Sequence, residues 1–174
     1  MASLGHVAVG LAAARLHSGE RLDPRSAAVF TALATFADLD AVPAMLGVPL
    51  PPPFGHRGAL HSLVVAAAVG LPAAALVLAP RGGRLRTALL SVAAAASHGI
   101  LDCLTHGGRG IALLWPFAPT RLLLPWRPVP AAPLGFRFLS PAGMRLLTFE
   151  AVLFSPLLLY ALWPRRPAAR FQAA

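Results

Sequence analysis

Seven ionisable side chains lie in or at the edge of strongly apolar runs: His6, Asp38, Asp40, His61, His98, Asp102 and Glu150. A charged group at the centre of a membrane helix costs about 2.5–3.5 kcal/mol on insertion scales. Four of the chain's six acids are in this set, and no Lys exists anywhere to pair with them. Carboxylates in an apolar setting without cationic partners are protonated or bound to a cation. A divalent metal offsets several of them together.

Spacing sharpens this reading. His98 and Asp102 are i and i+4, so a helix presents both from one face. His56 and His61 are five apart and bracket the start of an apolar run. Asp38 and Asp40 are two apart and diverge on a regular helix, so one serves as ligand and the other as a supporting group, unless the helix opens locally. We expect His6, Asp38, His56, His61, His98 and Asp102 as metal ligands. Asp40 is expected as a base or orienting carboxylate, and Arg57 as the holder of an anion. Neutral imidazoles with carboxylates suit zinc or manganese, in one or two ions. The single cysteine, Cys103, excludes an intramolecular disulfide and a thiolate-rich zinc site. His106, in a Gly-rich turn, and Glu150, near a helix start, admit ligand, loop or capping roles. His17 is given no role.

The elements that carry these residues follow from composition. The 174-residue chain is 57% hydrophobic and only 12% charged, about half the charged fraction usual in soluble domains. Its Arg residues stand between apolar runs rather than along a stripe, which argues against nucleic acid. The expected fold is all-α: a polytopic membrane bundle of about five helices with a long outer loop. The helices are expected at about 2–16, 27–47, 59–79, 87–104 and 145–163, in one integral membrane domain. A bilayer core needs roughly 20 helical residues, so the first and fourth are marginal. Residues 1–16 are read as a retained helix, since cleavage would remove His6. The 47–58 link carries Pro49, Pro51, Pro52 and Pro53 and breaks any helix. Residues 105–144, rich in Gly, Pro and Trp, are expected to lie at the interface or fold back over the bundle.

Alternating directions put Arg15, Arg21, Arg25, Arg81, Arg84, Arg86, Arg165, Arg166 and Arg170 on one side, in short connections. That side is expected to be cytoplasmic. Every ionisable group of the set then falls toward the opposite, outer face.

The ordered motifs resemble the YdjM-like family of membrane-bound metal-dependent hydrolases. They are Gly5-His6; Asp38-Leu39-Asp40; His56-Arg57-Gly58 with His61-Ser62; and Ser97-His98 followed by Leu101-Asp102, Thr105 and Gly107, then Trp115-Pro116-Phe117. The resemblance covers about residues 1–120. Ala37 stands where that family often has Pro. The resemblance implies a metal-dependent hydrolase in the bacterial inner membrane.

Position near the outer headgroup layer makes a lipid or isoprenoid phosphoester the expected substrate, with membrane lipid as the partner. The alternatives are a metal or proton transporter and a metal-stabilised structural membrane protein. A transport path would continue polar groups inward, where Thr31, Ser91 and Ser155 are the candidates.

Overall fold

The computed structural model describes residues 3–48, 50–76, 83–106, 108–133 and 135–164. Arg81, Arg165, Arg166, Arg170, Pro49, Gly107 and the 77–79 end of the third expected segment lie outside the described residues. Among the described residues the regular structure is entirely helical, with two isolated β-bridges.

The first expected segment is α1 (Ser3–Ser18). The second opens as α2 (Pro24–Thr35), where Asp23 caps the first turn by accepting from Ser26 N at 2.9 Å and Pro24 fills a position whose N–H needs no partner. It does not continue as one regular helix. Residues Phe36–Asp40 tighten into a 3-10 turn before α3 (Ala41–Met45). Pro43 is the cause we assign: it has no N–H to offer the Leu39 carbonyl, and its ring crowds that carbonyl. The two acids of this segment therefore sit on a tightened turn rather than on a smooth helix.

The third segment is interrupted as well. A 3-10 turn (Ala59–His61) precedes α4 (Leu63–Leu76), with Ser62 extended between them. The Ser62 hydroxyl accepts from Val65 N at 3.2 Å and caps α4. His61 is thus left on the turn ahead of the helix. The fourth segment is α5 (Arg84–Asp102). The fifth is split at Phe154 into α6 (Pro141–Leu153) and α7 (Ser155–Leu162), which meet at a 64° bend.

By length and composition, Pro24–Met45 can cross a membrane, with a mean hydropathy of 1.4. The bent α6–α7 pair passes the same test taken together, and Leu63–Ala75 is apolar but shorter. The five expected segments thus reduce to one or two clear spans plus shorter helices.

α1 packs along α2 and also meets α5 and α7, while α4 lies against α5. The core is built of small residues, with Ala13, Ala14, Ala66, Ala94 and Ala95 around Phe30 and Leu33. A Cβ on Gly10 would stand 2.6 Å from Thr31 Cα, and one on Gly70 2.8 Å from Val92 Cα. Close backbone approach of this kind is how helices associate where lipid removes the hydrophobic drive. The outer faces carry Leu71, Leu89, Val152 and Leu159, all exposed, whereas His6, His98, Asp102 and Glu150 are fully buried. Apolar outside and ionisable inside is the arrangement of a protein solvated by lipid.

Residues 108–133 fold back over one end of the bundle as irregular but bonded chain. Thr105 bridges Val129, and Ile111 exchanges both backbone bonds with Leu122 at 2.9 and 2.8 Å. The Ala112 N–H reaches the Arg57 carbonyl at 3.1 Å, and Leu63 N reaches the Leu113 carbonyl at 3.0 Å.

Candidate metal centre

The ends of α1 and α5, the 36–40 turn and the 59–61 turn converge on one buried cluster. His6 Nε2 lies 3.4 Å from Asp102 Oδ1, and His61 Nε2 lies 3.6 Å from Asp102 Oδ2. His98 Nε2 lies 3.4 Å from Asp38 Oδ1. The His6 and His98 rings stack with centroids 3.7 Å apart, and His61 meets His98 edge-on at 4.8 Å.

These separations have a chemical meaning. Hydrogen bonds from imidazole to carboxylate run at roughly 2.7–3.2 Å. Two ligands on a tetrahedral zinc, each roughly 2.0–2.1 Å from the ion, are separated by about 3.3 Å. The pairs at 3.4 and 3.6 Å match the edge of a coordination shell better than a hydrogen bond. Two triads bring their ligand atoms within 4.8 Å of one another: His6, His98 and Asp102, and Asp38, His61 and His98. The buried atoms His6 Nε2, Asp38 Oδ1, His61 Nε2 and His98 Nε2 find no hydrogen-bond partner. A cation satisfies such lone pairs together.

One supporting contact fixes which nitrogen a ring offers. His98 Nδ1 donates to the Ala34 carbonyl at 2.8 Å, which leaves Nε2 with its lone pair turned to Asp38. His61 Nδ1 lies 3.0 Å from Asp40 Oδ2 without hydrogen-bond geometry, while its Nε2 faces Asp102. His56 Nδ1 donates to Asp40 Oδ1 at 2.8 Å. Asp40 thus bonds one imidazole, lies beside a second and enters neither triad.

His56 also stays outside both triads. It is partly exposed and lies at the wall of an open cleft beside Arg57. Arg57 is buried, its Nε 3.6 Å from Asp102 Oδ2 and its Nη2 donating to Thr105 Oγ1 at 2.8 Å. Thr105 in turn donates to the Asp102 carbonyl at 2.9 Å. The Arg57 backbone is left-handed, with φ 64°, a conformation that costs a non-Gly residue about 1–3 kcal/mol and needs surrounding structure to hold it. Ala112 N and Arg121 Nη1, at 3.1 and 3.2 Å, both bond the Arg57 carbonyl and supply that hold.

Glu150 is buried but is not a member of either triad. Its Oε2 accepts from Leu4 N at 2.7 Å and from Gly5 N at 3.4 Å. It caps the start of α1 rather than its own helix and so fixes the helix that carries His6. His106 is exposed and outside both triads. His17 is buried against Phe30 near the other end of α1.

The structure therefore gathers His6, Asp38, His61, His98 and Asp102, with Asp40 and Arg57 in contact with them and His56 at the edge. Sequence reasoning gave no role to the Ala34 carbonyl, Arg109 or Arg121. A backbone acceptor leaves no mark on residue type, and two Arg in a loop read as ordinary interfacial charges.

The YdjM inner membrane protein family model matches residues 1–169. The inner membrane protein YbcI of Escherichia coli (strain K12) is 33% identical over 168 residues, covering 92% of this chain and 96% of the relative. No solved structure matches. The buried His and Asp cluster thus stands in a chain that matches this family from its first residues almost to its last, and the chain belongs to the YdjM family of bacterial inner membrane proteins.

Proposed function

We propose that this chain is a multi-pass, membrane-bound, metal-dependent hydrolase whose centre faces outward and acts on a lipid or isoprenoid phosphoester. The observation that carries the reading is the set of imidazole–carboxylate separations of 3.4, 3.4 and 3.6 Å among buried groups. They are too long for hydrogen bonds and close to ligand–ligand distances about a divalent ion. His6, Asp38, His61, His98 and Asp102 are the residues that would hold zinc or manganese. A divalent ion at such a centre supplies Lewis acidity to the reacting phosphoester and to water.

The remaining groups divide the work. Asp40 accepts from His56 and lies beside His61, which supports a role for the His56–Asp40 pair in accepting a proton from water. Arg57 spans from Asp102 to the cleft and is placed to hold a phosphoryl oxygen beside the centre. The donors fall into two triads, one of His6, His98 and Asp102 and one of Asp38, His61 and His98, and three protein ligands with one open position is the arrangement of a catalytic zinc.

The alternative is a metal or proton transporter. It draws some support from the buried hydroxyls of Thr31 and Ser91, which lack hydrogen-bond partners. The deciding experiment is metal analysis of detergent-purified protein, followed by hydrolysis assays across membrane lipids. His98→Ala and Asp102→Ala should each lower bound metal several-fold, and His106→Ala should leave it unchanged. Equal metal in all three proteins rejects the centre. Full metal with no hydrolysis across a broad lipid panel favours transport or structure.

A further inference from the structure

The cleft beside the centre has a wall that the metal site does not require. It encloses about 410 Å³ and is lined by His56, Arg57, Arg109 and Arg121, with Leu50 and Ala131 among its apolar residues. Its lining includes three guanidinium groups and no carboxylate. Arg57 is matched in part by Asp102, at 3.6 Å. Arg121 is fixed by its bonds to the Arg57 and Gly110 carbonyls, both at 3.2 Å. These are neutral acceptors and leave its positive charge uncompensated. Arg109 is exposed at the mouth. Two more cations than local anions call for a ligand of at least two negative charges.

The backbone makes room for such a ligand. Gly108 has φ 79°, and a Cβ there would overlap Arg57 Nη1. Gly110 has φ 80°, and a Cβ there would stand 3.0 Å from Arg121 Cβ. The Gly-rich turn therefore lets two arginine side chains pack against bare backbone and keeps them along one wall.

We propose that this cleft is the phosphate subsite and that it selects a phosphomonoester or diphosphate over a phosphodiester. The proposal rests on the hydrolase reading of the adjacent centre and names its substrate class. A phosphodiester carries one negative charge and would leave one of the Arg109 and Arg121 charges unmet. A monoester or diphosphate carries two or more, which the Arg109 and Arg121 pair accounts for. The apolar part of the lining suits the organic portion next to the phosphate.

The test uses the full chain in detergent, with inorganic pyrophosphate as probe and metal content measured on the same samples. The wild type should bind pyrophosphate, Arg109→Glu should weaken it at least tenfold, and Arg109→Lys should stay within about threefold. Metal content should be equal in all three, because Arg109 touches no member of the cluster. Arg121→Lys is the second variant: it retains the charge but loses the fork that bonds two carbonyls, and it should weaken binding several-fold. Two further arms compare phosphatidic acid micelles with glycerol phosphate. Tighter binding of the lipid makes the ligand a lipid phosphate, and equal binding makes it a soluble one; either supports the subsite. Unchanged pyrophosphate binding in Arg109→Glu with full metal overturns the subsite and leaves the metal centre standing. Phosphatidylcholine binding as tightly as phosphatidic acid also overturns it. Intact pyrophosphate binding in a protein without metal instead overturns the hydrolase reading.

Discussion

The Glu150 carboxylate accepts the Leu4 N–H at 2.7 Å, two residues before His6. A negative side chain at a helix N-terminus is favourable both as an acceptor for unpaired N–H groups and through the helix dipole. Here the acceptor comes from a helix far along the chain, so the contact ties the start of α1 to α6.

Glu150→Gln keeps the shape and removes the charge. It should cost about 1.5–3 kcal/mol of stability, the range for a hydrogen bond to a charged group. Metal affinity should fall with it, because His6 loses its fixed position while staying in the sequence. Thermal unfolding in detergent and metal titration check both. Unchanged stability would mean that the cap contributes nothing.

Asp40→Asn tests the brace. Asp40 presents one oxygen to His56 at 2.8 Å and the other to His61 at 3.0 Å. Asn offers one acceptor and one NH₂, so one imidazole must turn or change tautomer. Losses of about 10–100-fold in metal affinity or turnover are typical for such partners. The variant should fold, retain part of its metal and lose hydrolysis by that order. Full turnover in the variant would remove Asp40 from the mechanism.

Gly99→Ala probes the fit between α5 and the 59–61 turn. A Cβ on Gly99 would overlap the His61 carbonyl. The added methyl should cost about 1–3 kcal/mol by overpacking and push His61 away from Asp102. Bound metal should drop although no ligand has changed. Wild-type metal content would show that the turn yields freely.

Orientation is checked by labelling single cysteines in a Cys103→Ser background. Phe54 and Leu85 are both exposed, and the positive-inside pattern puts them on opposite sides. Phe54→Cys should react with an impermeant reagent from outside the cell, and Leu85→Cys only after lysis. The reverse pattern would turn the centre toward the cytoplasm.

The helical class and the burial of most of the ionisable residues were legible because apolar runs and i, i+4 spacing are local signals. His98 and Asp102 do share a buried face of α5. At Phe36–Asp40 the sequence left room only for a local opening of the helix; the 3-10 tightening found there is announced by Pro43, but a Pro near a helix end usually reads as a simple stop. The break between His61 and α4 depends on Ser62 capping, which an apolar run hides. For the chain after α5 the sequence offered a loop at the interface or one folded back over the bundle, without its bonding. Its order comes from backbone bonds to Arg57, Leu104 and Cys103, and these are invisible to side-chain pattern. Asp40 shows the same limit, since its role is decided by which rings approach it in space.

Arg15 completes a clasp on α1. Its Nη2 donates to the Trp163 carbonyl at 3.0 Å, while Glu150 holds the other end of the same helix. The two bonds join residues 148 and 146 positions apart, so α1 is gripped at both ends by the α6–α7 pair. Removing that pair would leave α1 held by its packing on α2 and α5 and by the Arg86 bond to the Leu16 carbonyl. His6 is thus the member of the cluster whose place depends on chain far from it in sequence.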